Sequence, residues 1–314
     1  MAYFELSEAA RRQLAASARV HRETIRCEAL KMRYRHELRW VESAGETRLH
    51  RVDPVSSATV FDFGAQDAQL IELHQRYSEQ RAGSVAAAAA AEHDSKRTAV
   101  LNREHGIARV PDVVIKVLNV LARHNLSSQY LVIGTHALFA YEVEAGISFE
   151  ADALTTSDVD LLWDVQQRIR LLHTLHKREV SMVKLLQEAD PTFERNEEDK
   201  ASAINNDSFS VDFLRRKECQ DYSDAFSMSE YEGDVYPVQA PRSQQFLNSP
   251  RYEQVVIGHS GQMALMRTVE PSVFVDFKNW MSGRKDREAM KRSRDRRQAM
   301  AVQQLLDEGR LAAR

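Results

Sequence analysis

Residues 131–163 read LVIGTHALFAYEVEAGISFEADALTTSDVDLLW, and this stretch decides the fold. The apolar run Leu131-Val132-Ile133 stops at Gly134-Thr135. A mostly apolar segment continues to about Glu144, and a polar loop over 146–156 carries Phe149, Glu150 and Asp152. Asp158-Val159-Asp160 then leads into Leu161-Leu162-Trp163. The pattern predicts strand, tight turn, helix, loop and second strand. Side chains alternate across a strand, so Asp158 and Asp160 share one face. Two carboxylates on one face, beside a helix N-terminus, suit a divalent cation carrying a polyphosphate. A third acid, Asp212, sits in Phe209-Ser210-Val211-Asp212-Phe213-Leu214, which predicts a further strand.

Upstream, residues 4–37 carry the apolar stripe Leu6, Leu14, Ile25, Leu30 and Met32 and predict a helix, with Ser7-Glu8 as a start signal. Its arginines and glutamates read as a salt-bridged face. Residues 38–51 predict a hairpin turning at Ser43-Ala44-Gly45-Glu46, followed by an irregular 52–64 and a helix over 66–82. The run Ala86–Ala91 has low complexity, yet alanine is the best helix former, so it predicts helix rather than linker. Gly106 ends that helix and Pro111 opens the next, where Val113, Val114, Val117, Leu118 and Leu121 line one side. Downstream, helices are expected over 165–177 and 179–189, and a polar loop over 190–207. A mixed segment over 215–262 contains the short buried strand Val255-Val256-Ile257. Helix is expected from Pro271 onward, broken at Gly283. The expected architecture is α/β (α+β), a mixed-sheet core over 108–240 between a helical region with a hairpin (1–107) and a helical C-terminal region (241–314).

With 43 basic and 46 acidic side chains the net charge is −3, so any nucleic-acid contact must come from a local patch. The run 284–297 is such a patch, with eight Lys or Arg against Asp286, Glu288 and Asp295. It is a candidate RNA contact, although a charge run is more often a solvated helix face, and Trp280 lies outside it, so no aromatic interleaves for stacking. Cys27 and Cys219 have no metal or redox spacing and read as reduced thiols. His173 and His176 lack an acid partner for zinc and read as surface residues. No run of about 18 apolar residues exists and the first dozen residues are charged, so a cytoplasmic protein without membrane contact is expected; delivery by a secretion system without a cleaved signal is also compatible. Long helices at both ends suit a homodimer.

Gly134-Thr135, then Thr156-Ser157-Asp158-Val159-Asp160-Leu161, then Val211-Asp212-Phe213 resemble the polymerase-beta-like nucleotidyltransferase superfamily. Within it, GTHALFAYEVEAGISF with TTSDVDLL is similar to a bacterial group of that fold with largely uncharacterised substrates. The resemblance implies transfer of a nucleotidyl group from an NTP such as ATP to an acceptor hydroxyl on RNA (tRNA among others), a protein or a small molecule. It implies two Mg²⁺ ions, or Mn²⁺, held by Asp158, Asp160 and Asp212, with Asp212 helping to activate the acceptor. Gly134 and Thr135 would bind phosphates at the helix start, and Lys278, Arg284 and Lys291 would contact the nucleotide. The residue chemistry agrees: two-metal phosphoryl chemistry needs hard oxygen ligands, and three clustered acids repel one another without a cation. His136 follows the Gly-Thr pair and reads as a helix-start residue rather than a catalyst. A different class of reading is a nucleotide- or RNA-binding module of a toxin–antitoxin or defence system with little turnover, which would have no need of the three acids. A kinase-like phosphoryl-transferring variant would use the same carboxylates.

Overall fold

The computed structural model describes residues 3–43, 45–163, 180–216 and 227–312. The helix expected over 165–177, with His173 and His176, and Cys219 lie outside the described residues. The chain divides into two compact units, Met1–Leu14 with Asn102–Arg314, and Ala15–Leu101.

The chain begins with β1 (Tyr3–Glu5) and α1 (Glu8–Arg33). The predicted helix starts later than expected because Ser7 caps it, its Oγ accepting the Ala10 N–H at 3.1 Å. The smaller unit contains most of α1, the antiparallel meander β2 (Glu37–Ser43), β3 (Glu46–Val52) and β4 (Thr59–Ala65), and most of α2 (Ala68–Glu104). The hairpin was legible, with Gly45 at φ +80° in its turn. Strand β4 replaces the irregular stretch expected there. It lacks an alternating buried face, with Val60 and Phe61 both exposed, so it gave no period-2 signal. The two helices expected on either side of residue 83 are one, α2, running through Gly83 at a cost of roughly 1 kcal/mol relative to alanine. The alanine run has a packing role: Ala88 and Ala91 are buried against Cys27 of α1, and Thr24 Oγ1 donates to the Ala91 carbonyl at 3.5 Å.

The larger unit continues with α3 (Asp112–Arg123), β5 (Tyr130–Ile133), α4 (Ala137–Ala145), β6 (Ile147–Phe149), α5 (Ala151–Leu154), β7 (Asp158–Trp163) and α6 (Met182–Gln187). Then come β8 (Glu194–Arg195), β9 (Ser202–Ile204), β10 (Ser210–Arg216), β11 (Val238–Ala240), α7 (Ser243–Asn248), β12 (Tyr252–Ile257), β13 (Met263–Thr268), α8 (Pro271–Ser282) and α9 (Ala289–Asp307). The mixed sheet has the order β12-β13-β5-β7-β10-β9-β8, with β11 pairing β10. Strand β5 lies antiparallel to β7, which lies parallel to β10. The sheet continues beyond residue 240, since β12 and β13 form one edge. The polar stretch 190–207 contributes β8 and β9 at the other edge; at two and three residues they are too short for a periodic signal. β10 alternates buried and half-buried residues along its whole length, whereas β5 is buried throughout, as a central strand covered on both sides must be.

Strand β1 pairs antiparallel with β6, Tyr3 opposite Phe149. Beneath this ribbon Arg109 forks onto Glu142 at 3.0 and 3.1 Å and donates to the Phe149 carbonyl at 2.7 Å. Burial pushes the Glu142 carboxyl up to about 7 against the pull of Arg109.

Candidate active site

The site begins where β5 ends. Ile133 is followed by a tight helical turn, Gly134–His136, which feeds α4. Gly134 sits at φ +71°, a conformation side chains disfavour, and a Cβ there would collide with the Asp160 carboxylate. The glycine is thus required twice, by the turn and by the acid beneath it. The first N–H groups of a helix lack intrahelical partners, and no side chain caps this turn. Thr135 is nearly buried.

The register of β7 and β10 brings the acids together. Asp160 lies opposite Asp212, Asp158 opposite Ser210, and Ile133 opposite Asp160. Because alternate residues share a face, the three carboxylates lie on one side of two adjacent strands. The intervening Val159 and Val211 are buried in the core on the other side. Thr156 Oγ1 donates to Asp158 Oδ1, and Ser202 Oγ of β9 donates to Asp212 Oδ1 at 2.7 Å. Burial, then the charges of Asp158 and Asp212, pushes the Asp160 carboxyl up to about 7. Asp212 is also raised, mainly by burial, although Ser202 and Ser210 stabilise its anion.

Positive charge reaches this face from α8 and the segment leading into α9. Lys278 is only 4% exposed, and its Nζ donates to Asp295 Oδ1 at 2.9 Å. Arg287 Nε donates to the other oxygen, Oδ2, at 2.6 Å. Asp295 itself is wholly buried. Both cations act on Asp160, lowering its pKa against burial and the other two acids. Burial lowers the Lys278 pKa, against the pull of Asp295 and Asp160. Helix α9 also holds the rim of the site. The buried Gln298 donates to Thr135 Oγ1 at 3.3 Å and to the Ala153 carbonyl at 2.8 Å. Arg294 donates to the Thr155 carbonyl at 3.3 Å, and Arg297 pairs with Asp152 at 2.8 Å.

Of the residues singled out in the sequence, Gly134, Asp158, Asp160, Asp212 and Lys278 are gathered here, and Thr135 is tied to α9. Arg284 instead pairs with Asp286, its Nε 2.9 Å from Oδ1, and lies 5.0 Å from the Trp280 ring centre. Lys291 is exposed and pairs with Glu288 at 3.3 Å. His136 is buried between Phe139 and Phe209, which drops its pKa to about 4, so it is a neutral core residue. Sequence reasoning missed Arg287, Asp295, Gln298 and Ser202 as site residues. Asp295 stands between Arg294 and Arg296 and reads as part of a solvated charge run.

A protein-family model described as nucleotidyltransferase matches residues 112–313, about two-thirds of the chain. The chain belongs to this nucleotidyltransferase family. No curated protein and no solved structure matches it significantly. The matched span begins at the first residue of α3 and takes in the glycine turn, the three acids and the Lys278–Asp295–Arg287 network.

Among the described residues of this nucleotidyltransferase, no three His, Cys, Asp or Glu side chains are gathered tightly enough to enclose a metal ion by themselves. The donor chemistry nonetheless fits Mg²⁺, which demands hard oxygens and is characteristically held by one or two carboxylates with waters and substrate phosphates completing the shell. The raised pKa values of Asp160 and Asp212 mark a place where positive charge is wanting. None of the described helices is long and apolar enough to cross a membrane.

Proposed function

We propose that this nucleotidyltransferase moves a nucleotidyl group from an NTP to an acceptor hydroxyl by the divalent-metal chemistry of the polymerase-beta-like superfamily. The observation carrying the reading is the register of Asp160 with Asp212, beside Asp158 and in contact with the Gly134 turn. When bound, two Mg²⁺ ions (or Mn²⁺) supply charge neutralisation at the attacking and leaving oxygens. Asp158 and Asp160 would hold them, with Asp212 as a further ligand or as the group that takes the acceptor proton. The N–H groups opening at Gly134 and Thr135 would hold the triphosphate. Lys278 and Arg287, both clamped by Asp295, would offset the charge that develops on the leaving pyrophosphate. In the balanced step the acceptor oxygen bonds to the α-phosphorus, the bond to the bridging oxygen breaks, and pyrophosphate departs. The acceptor proton passes to Asp212 or to solvent.

RNA is the acceptor this reading favours. The 284–297 segment carries a surplus of cations in a chain of net charge −3, and Lys285, Arg292 and Arg296 form no ion pair among the described residues. Incubation with each radiolabelled NTP, Mg²⁺ and total RNA or lysate should label an RNA species. Labelling that persists in Asp158→Ala/Asp160→Ala would sink the catalytic assignment. Tight NTP binding by calorimetry with no product would favour a binding module instead.

A further inference from the structure

Outside the carboxylate site, one surface cluster combines cations, an aromatic ring and a strained backbone. Trp280, near the end of α8, has two guanidinium groups against its ring, Arg242 at 4.8 Å and Arg284 at 5.0 Å from the centre. The two cations are therefore within about 10 Å of each other. The indole is braced on its own helix. Phe277 lies 5.9 Å from it, and Phe246 of α7 lies 4.7 Å from Phe277 in an edge-on contact. Arg242 is exposed and forms no ion pair among the described residues. It also occupies the left-handed region, φ +57° and ψ 11°, at the start of α7. A non-glycine residue there costs on the order of 1 kcal/mol, and such strain gathers at ligand clamps. The neighbouring Ser243 is buried, which anchors the strained position.

The cluster is close to the site in sequence but on another side of α8: Trp280 follows Lys278 by two residues, which turns it about 200° around the helix. Arg284 opens the basic run whose aromatic complement was missing from the linear sequence; folding supplies it by laying Trp280 against Arg284. We infer that Arg242, Trp280 and Arg284 form a stacking site for a single-stranded RNA segment, the acceptor strand of the transfer proposed above, on which this inference rests. A base stacks on aromatic or guanidinium planes whatever its identity, and the neighbouring phosphates are neutralised by the exposed Arg242 and by Lys285, which adjoins Arg284. An acidic protein segment would use the cations and leave the braced indole face without a role, so the cluster selects a nucleic-acid strand.

The test uses the full chain carrying Asp160→Asn, so that nothing turns over, and a fluorescein-labelled single-stranded oligoribonucleotide read by anisotropy. Trp280→Ala should weaken binding at least about fivefold, while Trp280→Phe keeps most of it. Arg242→Ala should lower the slope of log affinity against log salt by roughly 0.7, the contribution of one phosphate contact on a single strand. ATP affinity by calorimetry should be unchanged in both Trp280→Ala and Arg242→Ala. Unchanged RNA affinity and salt slope in Trp280→Ala and Arg242→Ala overturn the inference, as does a parent protein that binds polyglutamate in preference to RNA. If Trp280→Ala fails to fold, the exposed Arg242 variant decides alone. RNA held by the clamp without any nucleotidyl transfer refutes the proposed reaction and leaves the clamp standing. Transfer to a protein without RNA binding does the reverse.

Discussion

Asp295→Ala should be the most damaging single substitution in the C-terminal helices. Asp295 is wholly buried, and each of its oxygens holds a cation, Lys278 at 2.9 Å and Arg287 at 2.6 Å. Deleting one member of a buried ion pair leaves its partner charged and desolvated, typically at a cost of about 3–5 kcal/mol. Arg287 is 24% exposed on its side chain and can turn toward water, but Lys278, at 4%, cannot. At roughly 2–4 °C per kcal/mol for a domain of this size, the melting temperature should fall by about 6–20 °C. Replacing both partners with apolar residues, Lys278→Met with Asp295→Leu, should recover most of that loss, because neither charge is then stranded. Activity should not return, since Asp160 has lost one of the two cations that oppose its protonation. Scanning calorimetry and initial rates with labelled NTP measure the two effects separately. A melting temperature for Asp295→Ala within about 2 °C of the parent, with unchanged rates, would refute the description of a buried clamp.

Gly134→Ala should cost about 1–2 kcal/mol for the left-handed backbone alone, and it should displace the Asp160 carboxylate, so activity should fall far more than stability; equal losses in thermal melts and rates would contradict the contact between turn and acid. The Asp160 pKa of about 7 exceeds its ordinary value, so in chelator this group contributes stability that is full at low pH and is lost as pH rises toward 7, where the folded form must release the proton. Cation binding needs the ionised acid, so the rise in melting temperature on adding Mg²⁺ should be small at pH 5, grow through pH 7 and vanish in Asp160→Asn; a pH-independent rise would exclude Asp160 as the responsive ligand. Ser202→Ala removes a hydrogen bond that favours the Asp212 anion, so the acidic limb of the rate–pH profile should move to higher pH with little loss of maximal rate, and an unmoved limb would show that the bond is incidental.

The parts of this protein readable in the sequence are those whose signal is local. A glycine after an apolar strand, Asp-x-Asp alternation and a second alternating strand each span a few residues, and each was found where expected. The amphipathic α3 and the break at Gly283 were legible for the same reason. What escaped depends on contacts between distant segments. Lys278 and Asp295 sit on different helices, and nothing in their 17-residue separation carries a period. Ser202 lies in a polar stretch that reads as loop, because a three-residue edge strand is too short to show alternation. Strand β4 was lost because its apolar residues face outward, where the usual link between hydrophobicity and burial fails. Trp280 lies outside the basic run in the sequence, although the turn that closes α8 returns Arg284, four residues on, to its ring.

The dependence of the site on α9 has a consequence for the timing of activity during synthesis. The ribosome delivers Gly134, Asp158, Asp160 and Asp212 early, and these could assemble on their sheet while the remainder is still being made. Arg287, Asp295 and Gln298 emerge after them, and until they do Lys278 lacks its Asp295 partner and the Thr135 turn has no Gln298 to hold it. A nascent or prematurely terminated chain would therefore carry every acid of the site and remain inert. Synthesis of α9 would itself serve as the licence to act.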